Sequence, residues 1–272
     1  MNWKQMVLLV GLVIVACLYL LPLWTAITTA FKTSAEVAST GPLSFPKNPT
    51  LEPFREALSS LKTPYINSVL MTTGGVVGSV FLGSICGYVF SKVRFKHDAI
   101  VFLFLAVGAF IPYQSVLVPL YITAAKLRMF GTIQGLILVH IAYGIPMCAI
   151  LFRNFYADVP DAIINQAKVD GAGVWTIYWR ILLPVTLLAT LIVVIFQFTC
   201  IWNEFLFGLV LGGGENQAMP VTVALNNLKG TFAAQWNVQM SGALLVALPV
   251  LLVYTFLGKY LIHGYMAGAV KG

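Results

Sequence analysis

The feature that most constrains this chain is where its charges are missing. Six stretches carry no Asp, Glu, Lys or Arg: those between Lys4 and Lys32, Lys62 and Lys92, Asp98 and Lys126, Arg128 and Arg153, Arg180 and Glu204, and Lys229 and Lys259. They hold 27, 29, 27, 24, 23 and 29 residues. A helix crossing the hydrocarbon of a bilayer needs about 20 apolar residues. Each stretch is long enough for one such helix and too short for two. The spacing predicts six transmembrane helices, at about 7–30, 66–90, 100–123, 132–152, 185–211 and 242–262. They form a single all-α integral membrane domain over residues 1–272, with a long polar loop at 153–184.

Composition agrees. Hydrophobic residues make up 59% of the chain and charged residues 9%, whereas a soluble domain carries about 25% charged residues. An ordinary cytosolic enzyme, a disordered chain and a coiled coil are excluded. The net charge of +7 is dispersed among short loops. No basic run is interleaved with aromatics, so nucleic acid is not a partner; membrane lipid is, since loop cations belong near headgroups. The apolar stretch at 7–30 exceeds the 7–15 residues of a signal-peptide core and reads as a retained helix.

An even number of spans puts both termini on one side. With the N-terminus inside, the inner segments hold nine cations and the outer ones seven. The loop 91–98 contributes Lys92, Arg94 and Lys96 to the inner set. Both termini are therefore expected in the cytoplasm. Segments 31–65 and 212–241 become external loops, the first with a short helix at 51–61. Gly75, Ser79, Gly83 and Gly87 recur every four residues in the second span. Such a stripe lets two helix backbones approach closely, within the chain or with a partner. Pro112, Pro119, Pro146 and Pro249 interrupt later spans. Cys17, Cys86, Cys148 and Cys200 fall inside spans without metal-ligand spacing and read as packing residues. His140, the one histidine expected in a span, reads as a hydrogen-bonded structural residue.

The loop 153–184 carries the functional argument. In it, Pro160 suits the first turn of a helix, Asp158 and Asp161 sit near the positive end of its dipole, and Gly171 is a natural stop. Pro160, Ile163, Ile164 and Ala167 follow i, i+3, i+4, i+7 and give one apolar face. Such a helix is equally suited to a lipid surface and to a groove on a soluble partner.

This segment resembles the cytoplasmic signature of permease subunits of binding-protein-dependent ABC importers, E-A-A-x-x-x-G followed after nine residues by I-x-L-P. The chain reads Asn165-Gln166-Ala167-Lys168-Val169-Asp170-Gly171, then nine residues, then Ile181-Leu182-Leu183-Pro184. Asn165 and Gln166 stand where the family has glutamate and alanine, which removes a charge that could pair with a basic residue of a partner. Phe31-Lys32-Thr33, Ile201-Trp202-Asn203-Glu204-Phe205 and the ending Ala267-Gly268-Ala269-Val270-Lys271-Gly272 are similar to the carbohydrate-importing, maltose-type branch. His140-Ile141-Ala142-Tyr143-Gly144, Arg153-Asn154-Phe155-Tyr156 and Ala224-Leu225-Asn226-Asn227-Leu228 look closest to glucose/mannose-type permeases.

The resemblance implies a type I ABC importer permease (MetI-like) fold in a bacterial inner membrane, with a coupling helix over residues 160–172. Pro160, Ile163, Ile164, Asn165, Gln166, Ala167, Asp170, Gly171 and Pro184 would couple the chain to an ATPase. It further implies a second permease subunit, two ATP-binding cassette subunits and an extracytoplasmic sugar-binding protein as partners. ATP and magnesium would sit on the cassette subunits, and this chain would bind no cofactor and catalyse nothing. A phosphate-binding loop is indeed missing, because Gly212-Gly213-Gly214-Glu215 lacks the lysine such a loop requires. Trp175, Tyr178 and Trp179 read as anchors at the membrane interface. Thr190, Gln197 and Glu204 recur at seven-residue intervals in the fifth span. Tyr143, Gln197, Trp202, Asn203 and Glu204 are the candidates for a sugar path. A straight helix places Glu204 about 30 Å beyond Pro184, at the wet rim. A stand-alone secondary transporter or channel is the alternative, but paired intramembrane charges and inverted repeats are not evident.

Overall fold

In the computed structural model the described backbone comprises residues 2–93, 95–214, 217–228 and 235–269, with side chains as far as residue 258. Arg94, Lys229 and the last three residues of the carboxy-terminal motif lie outside it. The described chain is helical: α1 (Trp3–Ala30), α2 (Ser34–Ser39), α3 (Glu52–Lys92), α4 (Asp98–Phe110), α5 (Leu117–Lys126), α6 (Ile133–Ala157), α7 (Asp161–Val169), α8 (Val174–Ile177), α9 (Leu183–Val185), α10 (Leu187–Trp202), α11 (Leu206–Leu211), α12 (Val221–Asn227) and α13 (Trp236–Ala269). A 3₁₀ turn at Tyr113–Val116 leads into α5, and a π-turn at Tyr178–Leu182 joins α8 to α9.

Among the described residues, four helices are long and apolar enough to cross a membrane: Trp3–Ala30, Glu52–Lys92, Ile133–Ala157 and Trp236–Gly258. Two bent pairs bring the candidate spans to six: Asp98–Phe110 with Tyr113–Lys126, at 89°, and Val174–Val185 with Leu187–Trp202, at 80°. Six charge-free stretches thus become up to six spans, but the third and fifth are not the straight helices the spacing suggests. In the third, Ile111 is extended at ψ 121° ahead of Pro112, because a residue preceding proline is pushed out of the α region. The fifth bends at Thr186, two residues past Pro184. Pro146 and Pro249 lie inside continuous helices and break neither. The expected separate helix at 51–61 is the beginning of α3. The expected loop 212–241 contains α12.

The chain forms two compact units. The first is Met1–Tyr65 with Val223–Leu248. Its α1 is buried only at Thr28, Thr29 and Ala30, so the apolar helix before them meets lipid or another chain. Its end is tied by buried polar side chains. Lys32 Nζ donates to Gly41 O and Ser44 Oγ, both at 2.9 Å. Asn237 Nδ2 donates to Lys32 O at 3.1 Å, and Ser241 Oγ to Ala30 O at 3.0 Å.

The second unit, Ile66–Thr222 with Pro249–Gly272, holds the extended hydrophobic core. Its central contact is between the glycine stripe of α3 and α6. A Cβ on Gly87 would lie 2.5 Å from Phe152 Cβ and 2.8 Å from the Arg153 amide nitrogen. One on Gly83 would collide with Cys148 Cβ and stand 3.1 Å from the Ala149 nitrogen. One on Gly75 would come 2.8 Å from Ile201 Cδ1 of α10. Of the two roles open to the stripe, the structure uses it within the chain. Leucine at Gly83 or Gly87 is expected to destabilise the protein by at least about 2 kcal/mol, since these helices cannot both keep their rotamers and stay packed. Gly108 has nothing within 4 Å and is the control. Thermal unfolding of the detergent-solubilised chain checks this, and a Gly83→Leu melting curve no lower than that of Gly108→Leu would refute it.

Candidate functional site

The segment 160–172 folds as its sequence pattern suggests. Pro160 sits at the N-cap of α7 in an extended conformation, Asp161 occupies the first turn and Lys168 the last. Both charges have the sign the helix dipole favours. Gly171 closes the helix at φ 80°, in the left-handed region, and Ala172 N donates to Ala167 O at 2.9 Å. No atom lies within 4 Å of a Cβ built on Gly171. The requirement for glycine there is conformational, not steric.

The predicted apolar face divides in two. Ile164 and Ala167 are buried in the core of the second unit. Pro160 and Ile163 are exposed, the latter at 42%. They share the uncovered surface with Asn165, Gln166, Lys168, Val169 and Asp170. The reason is the orientation of α7, which turns only the Ile164–Ala167 edge toward the chain.

Lys92, at the end of α3, fixes where α7 begins. Its Nζ donates to Val159 O at 2.6 Å and pairs with Asp161 Oδ1 at 2.6 Å. The Lys92 side chain is 5% exposed and that of Asp161 74%. Beyond Gly171, the chain returns to α3 at two further points. Tyr88 Oη donates to Val174 O at 3.1 Å. Ser84 Oγ lies 2.5 Å from Tyr156 Oη and 2.9 Å from Tyr178 Oη, joining α3, α6 and the π-turn in one buried hydroxyl cluster. Tyr178 is therefore not an interface anchor. Its phenol has a partner inside, so the ring is buried, while Trp175 and Trp179 remain exposed. Pro184, in α9, is exposed and precedes the Thr186 bend. None of Ser84, Tyr88, Tyr156 or Lys92 stands out from spacing alone. Lys92 belongs to the three-cation loop 91–98, and that clustering was its only sequence signal.

A second feature lies between α6 and α10. A groove of about 460 Å³ is lined by Tyr113, Tyr143, Gln197, Cys200, Asn203 and Glu204 among others. It unites four of the five sugar-path candidates. Trp202 is not one of them: it is 2% exposed and stacks on Phe198, with ring centroids 5.8 Å apart. Thr190 is also elsewhere, donating to Thr186 O at 3.2 Å. Glu204 is committed to the backbone. Its carboxylate accepts from Phe207 N at 2.8 and 3.0 Å and from Gly208 N at 3.2 Å. It thus satisfies the free amides at the start of α11, where the fifth span breaks at 203–205. His140 also lines the groove, edge-on to Phe207 at 5.6 Å. Its buried Nε2 has no hydrogen-bond partner among the described residues, contrary to the expectation of a hydrogen-bonded histidine.

The broken spans, the tethered helix–glycine turn and the groove define a helical membrane permease. Residues 79–265 match the family of binding-protein-dependent transport system inner membrane components, and the chain belongs to that family. It is 48% identical to a probable ABC transporter permease of Pyrococcus horikoshii, over 98% of each chain. It is 36% identical to the xylose/arabinose import permease of Haloferax volcanii, over 90% of this chain and 87% of that one. It is 28% identical to the glucose import system permease of Saccharolobus solfataricus, over 96% and 94%. The fold is shared with a chain in the crystal structure of a bacterial ABC transporter involved in the import of the acidic polysaccharide alginate. That match has a TM-score of 0.81 at 20% identity and covers 94% of this chain and 96% of that one. The chain is a permease subunit, and ATP hydrolysis in this family belongs to separate subunits.

The groove makes one chemical expectation concrete. Cys200 is exposed and lines it, whereas Cys148 is fully buried. A polar maleimide should modify Cys200 in the folded protein and reach Cys148 only after denaturation, as read by peptide mass spectrometry. Equal reactivity of the two thiols in the folded chain would contradict this packing.

Proposed function

We propose that this chain is one of two permeases lining the pore of an ATP-driven sugar importer. Its α7 is the coupling helix, seated in a cleft of a cassette ATPase. Both termini and α7 then face the cytoplasm, and an external binding protein delivers the sugar to the opposite side. ATP and magnesium are held by the ATPase pair, and this chain binds neither. The permeases of xylose/arabinose, glucose and starch degradation products among its relatives support the sugar assignment.

The observation that carries this reading is the two-sided character of α7. One edge is fastened to the chain through Ile164, Ala167 and Lys92. The other presents Ile163, Gln166 and Val169 uncovered. A helix held firmly from behind and bare in front is suited to receive a partner that pushes on it. Closure of the ATPase pair would draw two such helices together and rearrange the spans behind them. Asn165 and Gln166 offer amides where other members offer a carboxylate and a methyl. The docking contact is therefore hydrogen-bonded rather than ionic at that position. Tyr143 and Asn203 supply a hydroxyl and an amide for sugar hydroxyls in the groove, whereas Gln197 is buried and its Oε1 accepts from Cys148 Sγ at 3.7 Å. The aromatic rings of Tyr113 and Phe196 supply stacking surface beside them.

Co-purification tests the assembly: the tagged chain should bring down a second permease and a cassette ATPase. Gly171→Val forces a β-branched residue into the left-handed region, which costs about 1–2 kcal/mol, and should reduce ATP-coupled uptake sharply without loss of membrane insertion. Gly171→Asn, which tolerates that conformation, should retain most uptake. Equal uptake by the valine and asparagine variants would remove the conformational argument.

The groove makes a separate demand. Tyr143→Phe and Asn203→Ala each delete one polar group, worth about 1 kcal/mol in a hydrogen bond, or roughly a fivefold change. The maximal uptake rate of glucose, xylose or arabinose, whichever the intact system carries, should fall by that factor. The half-saturation concentration, set by the external protein, should not move. Unaltered maximal rates in both variants would place the sugar path on the partner permease alone.

A further inference from the structure

We propose that Lys92 is a positioning residue for energy coupling: it transfers displacement of α7 directly to α3, so that the second span receives the stroke before the fifth. This rests on the reading of α7 as the coupling helix.

Three routes lead from α7 into the membrane. The link at residues 158–160 joins it to α6, and the segment beyond Gly171 joins it through α8, the π-turn at Tyr178–Leu182 and α9 to α10. The second of these contains a π-turn and an 80° bend at Thr186. The third route is non-covalent and short. Lys92 Nζ holds the carbonyl of Val159 and the carboxylate of Asp161, each at 2.6 Å, on either side of the N-cap Pro160. The Lys92 side chain is 5% exposed, so its stem is clamped and its ammonium has little freedom to follow α7 without moving α3. Tyr88 and Ser84 hold the next segment to the same helix one and two turns away. From there, α3 lies directly against Cys148 and Phe152 of α6 at Gly83 and Gly87. Anything that moves α7 thus moves α3 and α6 together, and α6 carries the groove residues His140 and Tyr143.

The carbonyl contact matters more than the ion pair. Asp161 is 74% exposed, and a solvated partner contributes little. The bond to Val159 O reaches the backbone itself.

The test uses the assembled transporter in nanodiscs, with Cys17→Ser and Cys86→Ser in the background so that Cys200 is the accessible thiol of this chain. Cys200 labelling by a polar maleimide is measured with and without Mg·ATP on a hydrolysis-deficient ATPase partner. ATP hydrolysis is measured in parallel with the wild-type partner. With Lys92 intact, nucleotide should change the labelling rate severalfold. Lys92→Met should keep at least half of the ATP hydrolysis and lose at least two thirds of that labelling response. Lys92→Arg should restore it, and Asp161→Asn should alter it by less than twofold. A full nucleotide response in Lys92→Met overturns the proposal. So does its failure to assemble, because the residue would then serve folding alone. If the chain with Lys92 intact recruits no ATPase, the reading of α7 itself is what fails.

Discussion

The approach of α3 to α6 is the constraint on which the rest of the second unit depends. Lipid tails are as apolar as the side chains they would displace, so helices in a membrane gain little from burial against each other. What remains is close packing and polar contact. Gly83 and Gly87 allow the α3 backbone to lie against Cys148 and Phe152 with nothing between. Only at that separation can Ser84, one residue from Gly83, reach the hydroxyls of Tyr156 and Tyr178. A small-residue stripe therefore does more than bring two rods together. It places a polar cluster, and through that cluster the segment that follows α7.

Breaks in the membrane helices impose a second constraint. Each frees backbone groups that hydrocarbon cannot satisfy. At the Thr186 bend, the Thr186 hydroxyl donates to Leu182 O at 2.8 Å while its amide bonds the same carbonyl at 3.0 Å. At the break after α10, Glu204 accepts from the amides of Phe207 and Gly208, and Thr222 Oγ1 donates to Glu204 O at 2.8 Å. Polar residues that look like substrate ligands in a list of intramembrane groups are thus partly consumed in making the breaks tolerable. Asn203, at the break after α10, is one of these: its Nδ2 donates to Thr199 O, one turn back, at 3.0 Å. Tyr143, inside α6, is the better ligand candidate for this reason.

How much of this was legible follows the same division. The six spans could be read because excluding charge from hydrocarbon is a one-dimensional rule, visible as gaps between Lys, Arg, Asp and Glu. The α7 helix and its Gly171 stop were visible because capping and left-handed turns are local. The bend at Thr186 was not, since Pro184 is compatible with a helix start and the π-turn before it packs through Tyr178 on Ser84, some ninety positions away. Tyr178 itself was misread for the same reason. An aromatic with a polar tip looks like an interface anchor until a buried hydroxyl is found to partner it. Lys92 counted as one loop cation among three, and nothing in a charge tally distinguishes a solvated lysine from one whose ammonium holds a carbonyl.

The groove sharpens what a transporter of this kind demands of its polar residues. A sugar must be bound well enough to enter and weakly enough to leave, so its partners should be few and replaceable by water. The groove fits that requirement: a handful of hydroxyl and amide groups set among Tyr113, Phe196, Phe205 and Phe207. The tightly held polar contacts at Lys92 and Ser84 lie elsewhere, where geometry has to survive every cycle. A side chain that moves force is best served by a short, buried, permanent bond. One that passes a ligand along is best served by exposure and a spare hydrogen bond. On the proposed reading, the distance in sequence between Lys92 and Ser84 on α3 and Tyr143 and Asn203 at the groove lets the helices hold their shape at one place while they exchange a sugar at another.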